Sequence, residues 1–160
     1  MVKQGIVWVL VIVLGLVATS DLEAQVRQRD TRVGLGFGAP NTVLVVRPDP
    51  FDFKLGYDFS EGNEFVYLGA DFRLLNQLEI QAPLHLSLGF GGFSKLYPRD
   101  SSEATFEGGF RTPVALSLLL ADNLIEFYVE VAPGVDLYPR PQFSDDPVQA
   151  WLGFTLNTGL

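Results

Sequence analysis

The chain has 160 residues, of which 48% are hydrophobic and 19% charged, with 16 glycines, 13 phenylalanines and a net charge of −8. That is one domain of strand-forming composition, neither disordered nor a charged solenoid. The absence of cysteine excludes a disulfide framework, a thiol nucleophile, a Cys-zinc site and a lipidated cysteine. One histidine leaves metal binding unsupported, and the acidic balance argues against nucleic acid as a partner.

Residues 1–24 read as a signal peptide. Lys3 gives the positive start and Ile6 to Val17 an apolar run of secretory length. Ala18, Thr19 and Ser20 follow as small residues, with cleavage after Ser20 or after Ala24. The run is shorter than the roughly 20 apolar residues of a spanning helix. Residues 25–30 form a polar leader, and residues 31–160 the domain proper.

From Thr31 onward the chain alternates with a period of two, the mark of a strand whose faces meet different surroundings. Eight such segments are predicted. Arg32–Gly38 sets Val33, Leu35 and Phe37 against glycines, and Ala39-Pro40-Asn41 turns the chain into Thr42–Arg47. That second strand is apolar throughout, so its facing stays open. After the breaker Arg47-Pro48-Asp49-Pro50, Phe51–Phe59 alternates aromatic and aliphatic residues with Asp52, Lys54, Gly56 and Asp58. Ser60–Asn63 is a hairpin turn, and Glu64–Arg73 places Tyr67, Gly69, Asp71 and Arg73 on one face.

Leu74–Pro83 reads as an unpatterned connection. The fifth strand sets Leu84, Leu86, Leu88 and Phe90 against His85, Ser87, Gly89 and Gly91. Lys95–Ala104 is a polar loop. The sixth strand runs from Phe106 to Leu118, with Glu107, Gly109, Arg111, Ala115 and Ser117 on its polar face, and Pro113 awkward within it. Ala121-Asp122-Asn123 turns into the clearest strand of all, Leu124–Leu137. There Ile125, Phe127, Val129 and Val131 alternate with Glu126, Tyr128, Glu130 and Ala132, and Pro133 and Asp136 follow. Tyr138–Pro147 reads as an exposed loop, and Val148–Asn157 is the eighth strand, with Trp151 on the polar face. Eight strands of about 9–11 residues joined as a meander fit an up-and-down antiparallel β-barrel.

Alternation alone fits two opposite barrels. A lipocalin-like carrier encloses its apolar row around a ligand; a transmembrane barrel turns that row to lipid. The polar row decides, because it is crowded with glycine, which suits backbones packed inside a narrow barrel. Its charges are mixed in sign: Arg32, Asp52, Lys54, Asp58, Asp71, Arg73, Glu107, Arg111, Glu126, Glu130 and Asp136. Buried charges persist only when paired, so these predict a lumen ion-pair network with the apolar row in an outer membrane.

The segments Gly34-Leu35-Gly36-Phe37-Gly38-Ala39-Pro40-Asn41-Thr42, Leu68-Gly69-Ala70-Asp71-Phe72 and Gly89-Phe90-Gly91-Gly92 stand in a characteristic order. With Phe110-Arg111-Thr112-Pro113-Val114, Glu130-Val131-Ala132-Pro133 and Trp151-Leu152-Gly153, the chain resembles a spirochaete-type family of small secreted barrels of unknown function, similar in architecture to the OmpA transmembrane domain. The resemblance spans about residues 31 to 157. It implies an eight-stranded outer-membrane barrel with no catalytic residues to carry over. Such barrels generally close on an aromatic residue read by the barrel-assembly machinery, whereas this chain ends Asn157-Thr158-Gly159-Leu160.

The expected role is therefore non-enzymatic, structural or adhesin-like, without cofactors, with outer-membrane lipid around the wall. Loops at 39–41, 60–63, 95–104 and 138–147 are offered to an envelope or host ligand. One alternative concerns His85 and Ser87, which share a face. Outer-membrane lipid A deacylases use a His-x-Ser pair with a downstream acid, although here Leu88 replaces the expected Asn and the acid would be Glu103 in a loop. Glu126 and Glu130 lie about 13 Å apart along one strand, too far for a carboxylate dyad. Gly34-x-Gly36-x-Gly38 lacks the spacing and following helix of a dinucleotide loop.

Overall fold

A computed structural model describes residues 31–60, 64–97, 106–139 and 141–159, with 142–147 as backbone. The expected signal peptide and leader lie outside them. Nine strands are present and, among the described residues, no helix: β1 (Thr31–Ala39), β2 (Val43–Pro48), β3 (Phe51–Asp58), β4 (Phe65–Gln81), β5 (Leu84–Leu96), β6 (Phe106–Arg111), β7 (Val114–Leu120), β8 (Ile125–Tyr138) and β9 (Gln142–Asn157). All pairings are antiparallel. The order β4-β3-β2-β1-β9-β8 continues through β6 and β7 to β5, and β5 pairs back onto β4, closing the sheet.

The barrel has eight places around its wall, and β6 and β7 share one of them. β6 lies between the loop-side halves of β5 and β8, and β7 between their opposite halves. The expected strand 106–118 is thus one rung broken at Thr112-Pro113. Proline has no amide hydrogen for the ladder, so the strand parts there. The gap is bridged by Thr112 N donating to the Pro133 carbonyl and Gly89 N to the Pro113 carbonyl, both at 2.9 Å. A strand residue's N–H and C=O point to the same side, so the donor that Pro133 lacks faces this same break.

Three boundaries differ from expectation. Leu74–Gln81 belongs to β4, not to a loop; its pairing with β5 shifts register after Arg73, Leu75 and Glu79, which hides the period. Gln77 there takes φ 53°. β5 runs on to Leu96, with Phe93 and Lys95 inward, and β9 begins at Gln142, inside the expected exposed loop. Tight turns at 49–50, 82–83 and 121–124 lie at one end of the barrel with Thr31 and Asn157. The strand ends at Ala39 and Val43, Asp58 and Phe65, Leu96 and Phe106, and Tyr138 and Gln142 lie at the opposite end, called the loop end below.

Packing follows the alternation but inverts the usual sense of it. Among the described residues thirty large apolar side chains are exposed, while only ten apolar residues are buried. Inside, Val43, Val45, Phe65, Tyr67, Phe93, Tyr128, Ala132 and Trp151 form a cluster. Several inward glycines are there because backbones touch: a Cβ on Gly34 would lie 1.9 Å from the Phe154 carbonyl, and one on Gly109 2.0 Å from that of Val135.

Candidate functional site

The lumen is the chemically distinctive part of the molecule. Each of its charged side chains occupies an inward phase of its strand, and four cations meet four carboxylates there. Arg47 of β2 reaches Asp52 Oδ2 through Nε at 2.9 Å, Glu126 Oε2 through Nη1 at 3.0 Å and Glu130 Oε2 through Nη2 at 3.6 Å. Arg73 Nη2 meets Asp52 Oδ2 at 2.8 Å. Lys54 Nζ lies 3.1 Å from Asp52, 3.4 Å from Asp71 and 2.9 Å from Glu130. Arg111 grips Asp71 with both ends of its fork, Nε to Oδ1 at 2.8 Å and Nη2 to Oδ2 at 2.5 Å.

Neutral groups complete the shells. Ser117 and Thr155 each donate to Glu126 at 2.7 Å. Arg111 Nη1 donates to Gln149 Oε1 at 2.9 Å and to the Tyr67 hydroxyl, which itself donates to Gln149 at 2.7 Å. The cations also lie over rings: the Arg47 guanidinium 3.9 Å from the Tyr128 centroid, and Arg111 5.3 Å and Lys54 5.5 Å from Trp151. Such contacts strengthen when water is excluded. They also account for inward-pointing Trp151, whose Nε1 donates to the Asn41 carbonyl at 3.0 Å.

Of the eleven expected network members, Asp52, Lys54, Asp71, Arg73, Arg111, Glu126 and Glu130 come together as described. Arg32 is buried at the tight-turn end, where it donates to the Asn123 carbonyl at 2.9 Å. Asp58, Glu107 and Asp136 are half-buried at the loop end instead. Asp58 closes β3 and accepts from the Ser60 amide and hydroxyl. Glu107 accepts from Tyr97 at 2.9 Å and sits 3.9 Å from Lys95; it lies opposite Lys95 in the β5–β6 pairing, on the inward face but at the strand's loop end, beyond reach of the central cluster. Asp136 follows the irregularity at Pro133–Val135.

Arg47 is the hub that sequence reasoning missed. Its strand is apolar on both faces, so no alternation marked it as inward, and Pro48 made it look like part of a breaker. Lys95 was missed for a similar reason, at the end of a strand whose last residues change character.

His85 and Ser87 are each occupied separately. His85 Nδ1 lies 3.0 Å from the Pro83 carbonyl, and Ser87 Oγ accepts from Gln77 N at 3.0 Å. Glu103 lies outside the described residues. No cluster of three potential metal ligands occurs among the described residues. Between Asp52, Ser87 and Glu130 a void of about 10 Å³ remains, room for about one water. Comparison with protein-family models, curated proteins and solved structures found no match to this chain.

Proposed function

We propose that the chain is an outer-membrane β-barrel, exported by the signal peptide at residues 1–24, with a non-enzymatic structural or surface-interaction role. The observation that carries this reading is the inversion of polarity between wall and lumen. Soluble monomers rarely expose contiguous apolar patches beyond a few hundred Å², yet here apolar side chains are exposed on every strand of the barrel wall. An eight-stranded barrel is just wide enough for its interior to fill with side chains, and ion pairs together with an aromatic and aliphatic cluster fill this one.

A carrier reading would require an apolar lumen with space for a ligand, and the inward surface offers salt bridges. The same filling supports a barrel that does not conduct, with its contribution to the cell made through its wall and loops. The likeness to small outer-membrane barrels described from the sequence motifs agrees with this assignment. Interaction with an envelope or host molecule at the loop end is part of the proposal, motivated by the placement of four connections there.

Cell fractionation with heat-modifiable gel migration tests the reading. The expected result is recovery in the outer-membrane fraction and faster migration of the unheated band. Recovery in the soluble periplasm without detergent contradicts it. Deleting the loop-end connections should abolish a surface interaction without unfolding the wall.

A further inference from the structure

One glycine in the wall does not behave like the others. Most inward glycines are held by backbone or side-chain atoms so near that a Cβ would collide, and Gly134 is tight at 3.0 Å, whereas a Cβ on Gly92 would meet only the Gly109 carbonyl, at an ordinary 3.4 Å. Gly92 is paired with Ala70 across β4 and β5 and with Phe110 across β6. Since a larger residue would fit, packing does not require a glycine here.

Its consequence is on the outer face. Ala70 and Gly92 form the floor of a depression of about 530 Å³, walled by Leu44, Phe53, Leu55 and Leu68. Phe110 stands beside it, 61% exposed. Lys54 contributes only backbone to this face, because its ammonium is buried in the lumen ion pairs. Ser94, one residue pair nearer the loops, is the polar side chain at the rim. On the opposite wall the belt presents large side chains, with Phe37 facing Leu152 across β1 and β9.

From this geometry we infer that the Ala70–Gly92 depression is a fixed binding site for one acyl chain of a membrane phospholipid. The inference rests on the membrane reading above. An acyl chain needs only apolar contact, bends to follow a groove and is continuous with the lipid that would cover the rest of the belt. A second copy of the chain is a poorer occupant. Two convex barrel walls touch along a line, and a stable interface buries about 1,200–2,000 Å².

The test uses the mature chain in phosphatidylethanolamine–phosphatidylglycerol vesicles doped with a phospholipid carrying a photoactivatable diazirine on its acyl chain. Adducts are mapped by mass spectrometry. Labelling should concentrate at Leu68, Ala70 and Gly92, several-fold above Phe37 and Leu152. Gly92→Leu, which fills the floor, should remove the excess while heat-modifiable migration is retained. Even labelling around the wild-type barrel overturns the site and leaves the membrane reading standing. Labelling at these positions that disappears as the protein-to-lipid ratio is raised, while Phe37 and Leu152 stay labelled, overturns it in favour of self-association. A chain that never enters the vesicles overturns both.

Discussion

On β8 the two faces of a single strand live in opposite chemistry. Phe127, Val129 and Val131 are about half exposed on the wall, while Glu126, Tyr128 and Glu130 are at most 1% exposed in the lumen. Residues one step apart have thus exchanged the places they would take in a soluble protein. The difference teaches where the stability of each face must come from. The wall gains nothing from burial until something apolar covers it; the lumen excludes water but must satisfy every charge it holds, since an uncompensated buried ion is expensive.

The largest effect is therefore expected inside. Arg111→Ala leaves the buried Asp71 carboxylate with only the more distant Lys54 as a cation and removes one partner each from Gln149 and Tyr67, and it should cost about 3–5 kcal/mol. Trp151, the lone tryptophan once residues 1–24 are removed, reports urea unfolding directly. Removing both members of the pair, as Arg111→Met with Asp71→Leu, should recover part of that loss. If the double variant is as unstable as the sum of the single ones, the ion pair is not what holds this region.

Outside, the expected loss is smaller. Val129→Arg should cost about 2–4 kcal/mol in a bilayer if it faces lipid near mid-membrane, and Val129→Leu should be close to neutral. Refolding yields into vesicles across a denaturant series would measure the difference. An arginine tolerated as well as leucine would place this face in water.

Finer contrasts sharpen the comparison. Ser117→Ala removes one of the two hydroxyl donors to Glu126 and should cost about 1.5–3 kcal/mol, the range for a hydrogen bond to a charged group; Ser117→Thr should be milder. The smallest effect is expected for Gly92→Ala, whose new methyl points into the outer depression and should shift the melting temperature negligibly. By contrast Gly34→Ala drives a methyl against the Phe154 carbonyl and should lower it measurably.

Much of this architecture was legible in the sequence where one face was purely apolar and the other polar or small. Leu124–Leu137 showed both faces of β8, and the glycine-crowded row identified the interior. Seven of the eight charges in the central network followed from the same phase argument. It failed where alternation carries no contrast or is interrupted. Arg47 belongs to a strand with valines on both faces. Residues 74–81 pass through register shifts that break the count. At 92–95 the usual sense reverses, with Gly92 and Ser94 outward and Phe93 and Lys95 inward, so the end of β5 read as a loop. Phe93 tolerates that position because its ring stacks on Tyr67 at 6.5 Å between centroids. Pro113 signalled an irregularity, but only the pairing of both half-strands with β5 and β8 shows that β6 and β7 share one place.

The central claim is the direction each face looks, and the cysteine-free chain allows it to be measured position by position. Single cysteines from 126 to 131, each carrying a nitroxide in reconstituted vesicles, should alternate: labels at 127, 129 and 131 relaxed by oxygen dissolved in the bilayer, those at 126, 128 and 130 shielded from it. Labels at 127, 129 and 131 relaxed instead by a water-soluble nickel chelate, with no response to bilayer oxygen, would contradict the account.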